Sequence, residues 1–132
     1  MFVKFDYDHY PNVYVTFGKL ETDEEFNILT DEWLRLYEQK KPFTFIFDLS
    51  NLEVYNIKYS FKMSAFIYRL KREPEQYLQK SIILVTNSFI QYLLDFIFYI
   101  QSPVASVYIV KENDDIKKIL DGEEIDCKII YP

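Results

Sequence analysis

The chain has 132 residues, the size of one domain. Its 49% hydrophobic and 19% aromatic content, with only two glycines, lies far outside the profile of a disordered segment. A net charge of −6 and a pI near 4.8 repel phosphate backbones and anionic surfaces, which argues against nucleic acid as a partner. The single cysteine, Cys127, excludes an internal disulfide and fits a reducing compartment.

Met1 to Asp6 alternates apolar and polar residues like a strand and does not resemble a secretory leader, so the expectation is a cytoplasmic protein. Enrichment in Phe, Tyr, Ile, Lys and Asn also fits an AT-rich coding sequence, viral or microbial, which accounts for part of the aromatic excess. Phe2–Tyr7 and Val13–Phe17 read as two strands of an antiparallel hairpin, joined by Asp8-His9-Tyr10-Pro11-Asn12 with its turn-forming Pro and Asn. Gly18 ends the second strand, and Thr22 with Glu25 forms a capping box that opens a helix. Phe26, Leu29, Trp33, Leu36 and Tyr37 recur at three- and four-residue spacing and predict its core face. Pro42 stops the helix, and Phe43 to Phe47 follows as a buried strand ending in Asp48-Leu49-Ser50-Asn51.

A second helix is predicted from Lys58 to about Arg72, with Met63, Phe66, Ile67 and Leu70 inward and Phe61, Ala65 and Tyr68 on a different face. Ser81 to Thr86 is a continuous apolar run typical of a parallel strand covered on both sides. Asn87 or Ser88 caps a helix over Phe89–Ile100, whose length of about 18 Å cannot span a hydrocarbon core of about 30 Å. Its only strongly polar residues are Gln91 and Asp95, so it lacks a clear solvent face. The spacing allows Phe89, Tyr92, Leu93, Phe96, Ile97 and Ile100 to form a buried face, leaving Ile90, Leu94, Phe98 and Tyr99 as candidates for an interface or a hydrophobic ligand. Val107–Val110 is a strand, Ile116, Ile119 and Leu120 mark a short helix that Gly122 closes, and Asp126–Ile130 is a terminal strand holding Cys127. Strands alternating with helices predict a single α/β domain over 1–132, with a mixed, mostly parallel sheet of five or six strands and four to five helices.

Catalytic machinery is hard to find in this sequence. Two glycines make no phosphate-cradling loop, and one histidine and one cysteine far apart make no zinc site, so neither a catalytic set, a metal nor a cofactor is expected. Asp6, Asp8 and His9 form the densest ligand-like cluster and read as a polar turn. Arg69, Lys71 and Arg72 read as cations at a helix C-terminus, where the macrodipole favours them. Asp48 is the best-placed carboxylate for chemistry, at the end of a buried strand where α/β sheets build their sites. An Asp before Leu-Ser-Asn is expected to cap its own turn through backbone donors.

Four features together resemble a known family: the first helix closing at Lys40-Lys41-Pro42, the strand ending Asp48-Leu49-Ser50, the strand Ser81–Thr86, and Ser102-Pro103-Val104 before Val107–Val110. Their order over Val13 to Leu120 is similar to a STAS domain of the SpoIIAA-like type, the fold of bacterial anti-sigma-factor antagonists. Those proteins carry an Asp-Ser-Ser-Gly motif with a phosphorylated serine. The matching stretch here is Asn56-Ile57-Lys58-Tyr59, so the phosphoacceptor is missing and Ser60 is the nearest substitute. The resemblance implies a non-catalytic protein-interaction module, regulatory or assembling. Its binding turn would comprise Asp48, Ser50, Asn51, Asn56, Lys58 and Ser60. The partner is expected to be a second copy of the chain, another protein, or both, twofold pairing being the commonest closed symmetry. The alternative is a small carrier of a lipid or other hydrophobic ligand, because STAS-like folds are similar to the lipid-exchange domains called CRAL-TRIO or Sec14.

Overall fold

In the computed structural model, which describes residues 1–132, the expected hairpin is present as β1 (Val3–Asp6) antiparallel to β2 (Asn12–Phe17). A two-residue strand β3 (Lys19–Leu20) leads to α1 (Asp23–Glu38). Thr22 and Glu25 form the reciprocal capping box at its start, with Thr22 Oγ1 accepting from the Glu25 amide. The chain continues through β4 (Phe43–Asp48), β5 (Glu53–Val54), α2 (Lys58–Lys71) and β6 (Leu78–Leu84). It ends with α3 (Ser88–Ile100), β7 (Val107–Val110), α4 (Asn113–Leu120) and β8 (Lys128–Ile130).

Six strands form one mixed sheet in the order β1-β2-β4-β6-β7-β8, in which β2, β4, β6 and β7 are mutually parallel. The N-terminal hairpin and the terminal strand therefore both extend the sheet, as antiparallel edges at opposite ends. With four helices, this is the α/β architecture the alternation predicts.

The period of two along each strand divides the core. Val13, Val15, Phe43, Phe45, Phe47, Ile83 and Val107 face α1, α2 and α3, whereas Ile46, Ile82, Leu84 and Val110 face α4. Cys127 packs beside that second cluster as a small side chain. Trp33 anchors the first, edge-on to Phe45 at 4.9 Å and to Phe66 at 5.2 Å between ring centroids. Each such pair contributes roughly 0.5–1.5 kcal/mol beyond the area it buries.

Two local expectations are corrected, and one small element was not foreseen. Strand β6 begins at Leu78 rather than Ser81, because the Phe43 amide donates to the Tyr77 carbonyl and Thr44 pairs with Lys80, drawing that segment into the ladder. The terminal strand is confined to Lys128–Ile130. Strands β3 and β5 pair in parallel as a separate ribbon, too short to leave a periodic signal.

The face of α3 is rotated from the one expected, although Leu93 still packs on the core and Tyr99 still points outward. Ile90 and Leu94 are buried and Phe98 packs on the core, while Phe89, Tyr92, Tyr99 and Ile100 face solvent. The physical reason lies in the two polar residues. Gln91 donates to Asp95, and the Asp95 carboxylate accepts from Lys128 of β8 at 2.7 Å, so they mark the flank toward the sheet edge and not the centre of the exposed face.

Candidate functional site

The turn after β4 folds on itself. Asp48 Oδ1 accepts from the Ser50 amide at 2.9 Å and from Ser50 Oγ at 2.6 Å, which occupies the carboxylate locally. Asn56 Oδ1 accepts from the Lys58 amide at 3.0 Å and starts α2. Lys58 Nζ lies 3.1 Å from Asp23 Oδ1 and holds the Asp23 carboxyl below the usual carboxylate range. Ser60 is 3% exposed and turned into the protein. The six residues of the predicted binding turn thus divide into an exposed Asp48–Asn51 group and a helix-start group, with no hydrogen bond between them. Asp6 Oδ1 is likewise occupied by the Asp8 amide, and no group of three or more His, Cys, Asp or Glu side chains converges as a metal site would require.

Beneath α2 and α3 lies an apolar cavity of about 150 Å³, of whose 26 lining residues 23 are hydrophobic. It runs from Phe17 and Leu49, at the carboxyl ends of β2 and β4, to Leu78 and Ala105, before or at the start of the next two strands. Ile90, Leu94 and Phe98 line it, so three of the four hydrophobic candidates on α3 turn toward this space while Tyr99 turns away. Ser60 and Ser81 are its polar lining residues, 3% and 4% exposed. Trp33 Nε1 and the Tyr59 hydroxyl, on two further lining residues, are buried without a hydrogen-bond partner. Burial pushes the Tyr59 pKa up, and the Asp23 carboxylate, near the hydroxyl but outside hydrogen-bonding geometry, adds to that shift.

The second feature is the outer face of α2 and α3. Phe61 and Phe96 meet edge-on across the helix pair with centroids 5.5 Å apart, and Ser64 Oγ donates to the Ile97 carbonyl beneath them. Around that junction Ile57, Tyr68, Phe89, Tyr92 (72% exposed), Tyr99 (88%) and Ile100 are open to solvent. Residues 57–72 contain no acid, and Arg69, Lys71 and Arg72 at their end form no ion pair. The one acid of α3, Asp95, is neutralised by Lys128. The face is therefore apolar and aromatic with a cationic end, on a chain of net charge −6.

Sequence reasoning named Ile90, Leu94 and Phe98 as candidates for a hydrophobic ligand but not the walls supplied by α1, α2 and the sheet, which depend on how three helices span it. Ser60 and Ser81, which the packing makes internal, are the residues of the wall that it did not connect with α3. No family model, no curated protein and no solved structure matches the chain. No helix is long and apolar enough to cross a membrane.

Proposed function

We propose that the chain is a non-catalytic, STAS-like protein-interaction module that docks its partner on the outer face of α2 and α3. The observation that carries this reading is the exposure of Phe61, Tyr68, Phe89, Tyr92, Tyr99 and Ile100 on two helices that pack on each other through Phe61 and Phe96. Monomers seldom leave large apolar patches contiguous and open, and aromatic residues are concentrated in interface cores. The unpaired cations at the end of the face favour an acidic partner surface. A different, acidic protein is the occupant proposed here, and a second copy is an outcome of the test below. Asp48 is engaged in its own turn, which weighs against the enzyme reading. The order of elements supports the STAS-like relation. The family's phosphoswitch is not part of the proposal, since Asn56-Ile57-Lys58-Tyr59 offers no phosphoacceptor and Ser60 is internal.

The test compares the wild type with a Tyr92→Asp, Tyr99→Asp double variant in a pull-down, in sedimentation velocity and in co-sedimentation with anionic vesicles. A protein retained by the wild type and released by the double variant supports the reading. Identical retention by both overturns it. Vesicle binding lost in the variant would assign the face to a membrane surface instead, and a concentration-dependent dimer lost in the variant would assign it to self-association.

A further inference from the structure

We infer that the cavity beneath α2 and α3 is a binding site for one small, uncharged, mostly apolar molecule, about the size of a single aromatic ring. This goes beyond the docking role and does not depend on it, because the residues concerned are on the inner side of the same helices. The space exists for an identifiable reason. Phe61 against Phe96, and Lys71 of α2 to Ser102 just beyond α3, brace the two helices against each other. Below that brace, the chain places the small side chains Ser60, Ser81 and Ala105 where larger ones would fill the gap.

Volume and chemistry define the ligand class. A dry apolar cavity of about 150 Å³ is the size that admits benzene or xenon. A whole lipid is too large for it, which separates this inference from a lipid carrier. No charged residue lines the wall, so an ionised group would be desolvated without a counter-charge. Ser60 and Ser81 are the polar residues of the wall, so the ligand carries at most one or two polar atoms. An uncharged aromatic or short aliphatic molecule with a single hydroxyl or carbonyl fits this description.

The test titrates the full chain with benzene, and with benzoate as a charged probe of similar shape, following the methyl resonances of Ile83, Ile90, Leu94 and Ile97 and the Trp33 indole N–H. Expected are saturable shifts at these residues with benzene, none with benzoate, and a melting temperature that rises with benzene concentration, as binding to the native state requires. Ala105→Leu, which fills the space, should weaken benzene binding by about tenfold or more. If that variant is overpacked and does not fold, the comparison of benzene with benzoate on the wild type decides. The inference is overturned if benzene gives no saturable shift, if benzoate gives the same shifts, or if the shifts fall only on Ile57 and Ile100 of the outer face.

Discussion

The Phe61 ring stands at 88° to the Phe96 ring, edge to face, and this contact joins the apolar stripes of α2 and α3 into one surface. Phe61 nevertheless stays 53% exposed, so the pair fixes the geometry of the face without being consumed in the core. A double-mutant cycle with Phe61→Ala and Phe96→Ala in urea denaturation should give a coupling of about 0.5–1 kcal/mol, the range of such aromatic pairs. A coupling indistinguishable from zero would mean that this ring contact does not hold the two helices together.

The two faces of α3 should respond to substitution in opposite ways. Leu94→Ala enlarges an existing cavity and should destabilise by about 2–5 kcal/mol, whereas Tyr92→Ala and Tyr99→Ala should stay within about 0.5 kcal/mol of the wild type. Equal losses at all three positions in chemical denaturation would contradict the observed orientation of the helix.

That orientation marks the limit of what the sequence carries. The α1 face could be read in advance because Asp31, Glu32 and Arg35 interrupt its apolar positions, and Trp33, Leu36 and Tyr37 are all buried as that pattern requires. The Asp48 turn was equally legible, since the spacing of Asp48 and Ser50 is that of an Asx turn. Helix α3 offers ten large hydrophobic residues around its circumference, so periodicity gave the element but not its phase. Its phase is set by the Asn87 cap, which accepts from the amides of Phe89 and Ile90, and by the long-range pair of Asp95 with Lys128. Neither β6 beginning at Leu78 nor the cavity has a local signature, because both depend on which segments the sheet brings together.

Acid should destabilise the start of α1 and its link to α2. Backbone N–H groups of Glu21 and Thr22 hold the Glu25 carboxyl below its ordinary 4.5, and Lys58 does the same for Asp23 against 3.8. Both folded-state values are lower than the unfolded ones, so the unfolded chain binds more protons. The stability they contribute is present above those ordinary values and is lost as pH falls through the folded ones. Urea midpoints measured downward from about pH 5 should fall, and Asp23→Asn with Glu25→Gln should flatten the curve. An unchanged slope in that double variant would place the acid sensitivity elsewhere.

At the alkaline end, Tyr37 makes the corresponding prediction. Its hydroxyl donates to Gln76 Oε1 at 2.6 Å, and Gln76 Nε2 donates to the Leu70 carbonyl at 2.6 Å, tying α1 to the end of α2. Burial raises the Tyr37 pKa from 10.0 to about 12. The folded state keeps this proton more tightly, so its contribution is full below pH 10.0 and declines as pH rises toward 12. Tyr37→Phe should cost about 1–2 kcal/mol at neutral pH by leaving Gln76 Oε1 without its donor, and should reduce the loss of stability above pH 10.0. A variant with the wild-type alkaline slope would show that another tyrosine governs it.

The cations at the end of the docking face should separate binding from folding. Arg69, Lys71 and Arg72 form no ion pair, and apart from the Lys71 bond to Ser102 their contribution to the fold is the macrodipole interaction of about 0.3–1 kcal/mol each. Neutralising Arg69 and Arg72 to Gln should therefore lower stability by no more than about 2 kcal/mol. An acidic partner loses its complement at the same time, so the protein retained in the pull-down should elute from the variant at lower salt than from the wild type. Exposed charge pairs are screened within about 10 Å at 0.1 M salt, so the difference should narrow as ionic strength rises. Elution at the same salt from both proteins would mean that the aromatic face is recognised without its cationic end, and the partner need not be acidic.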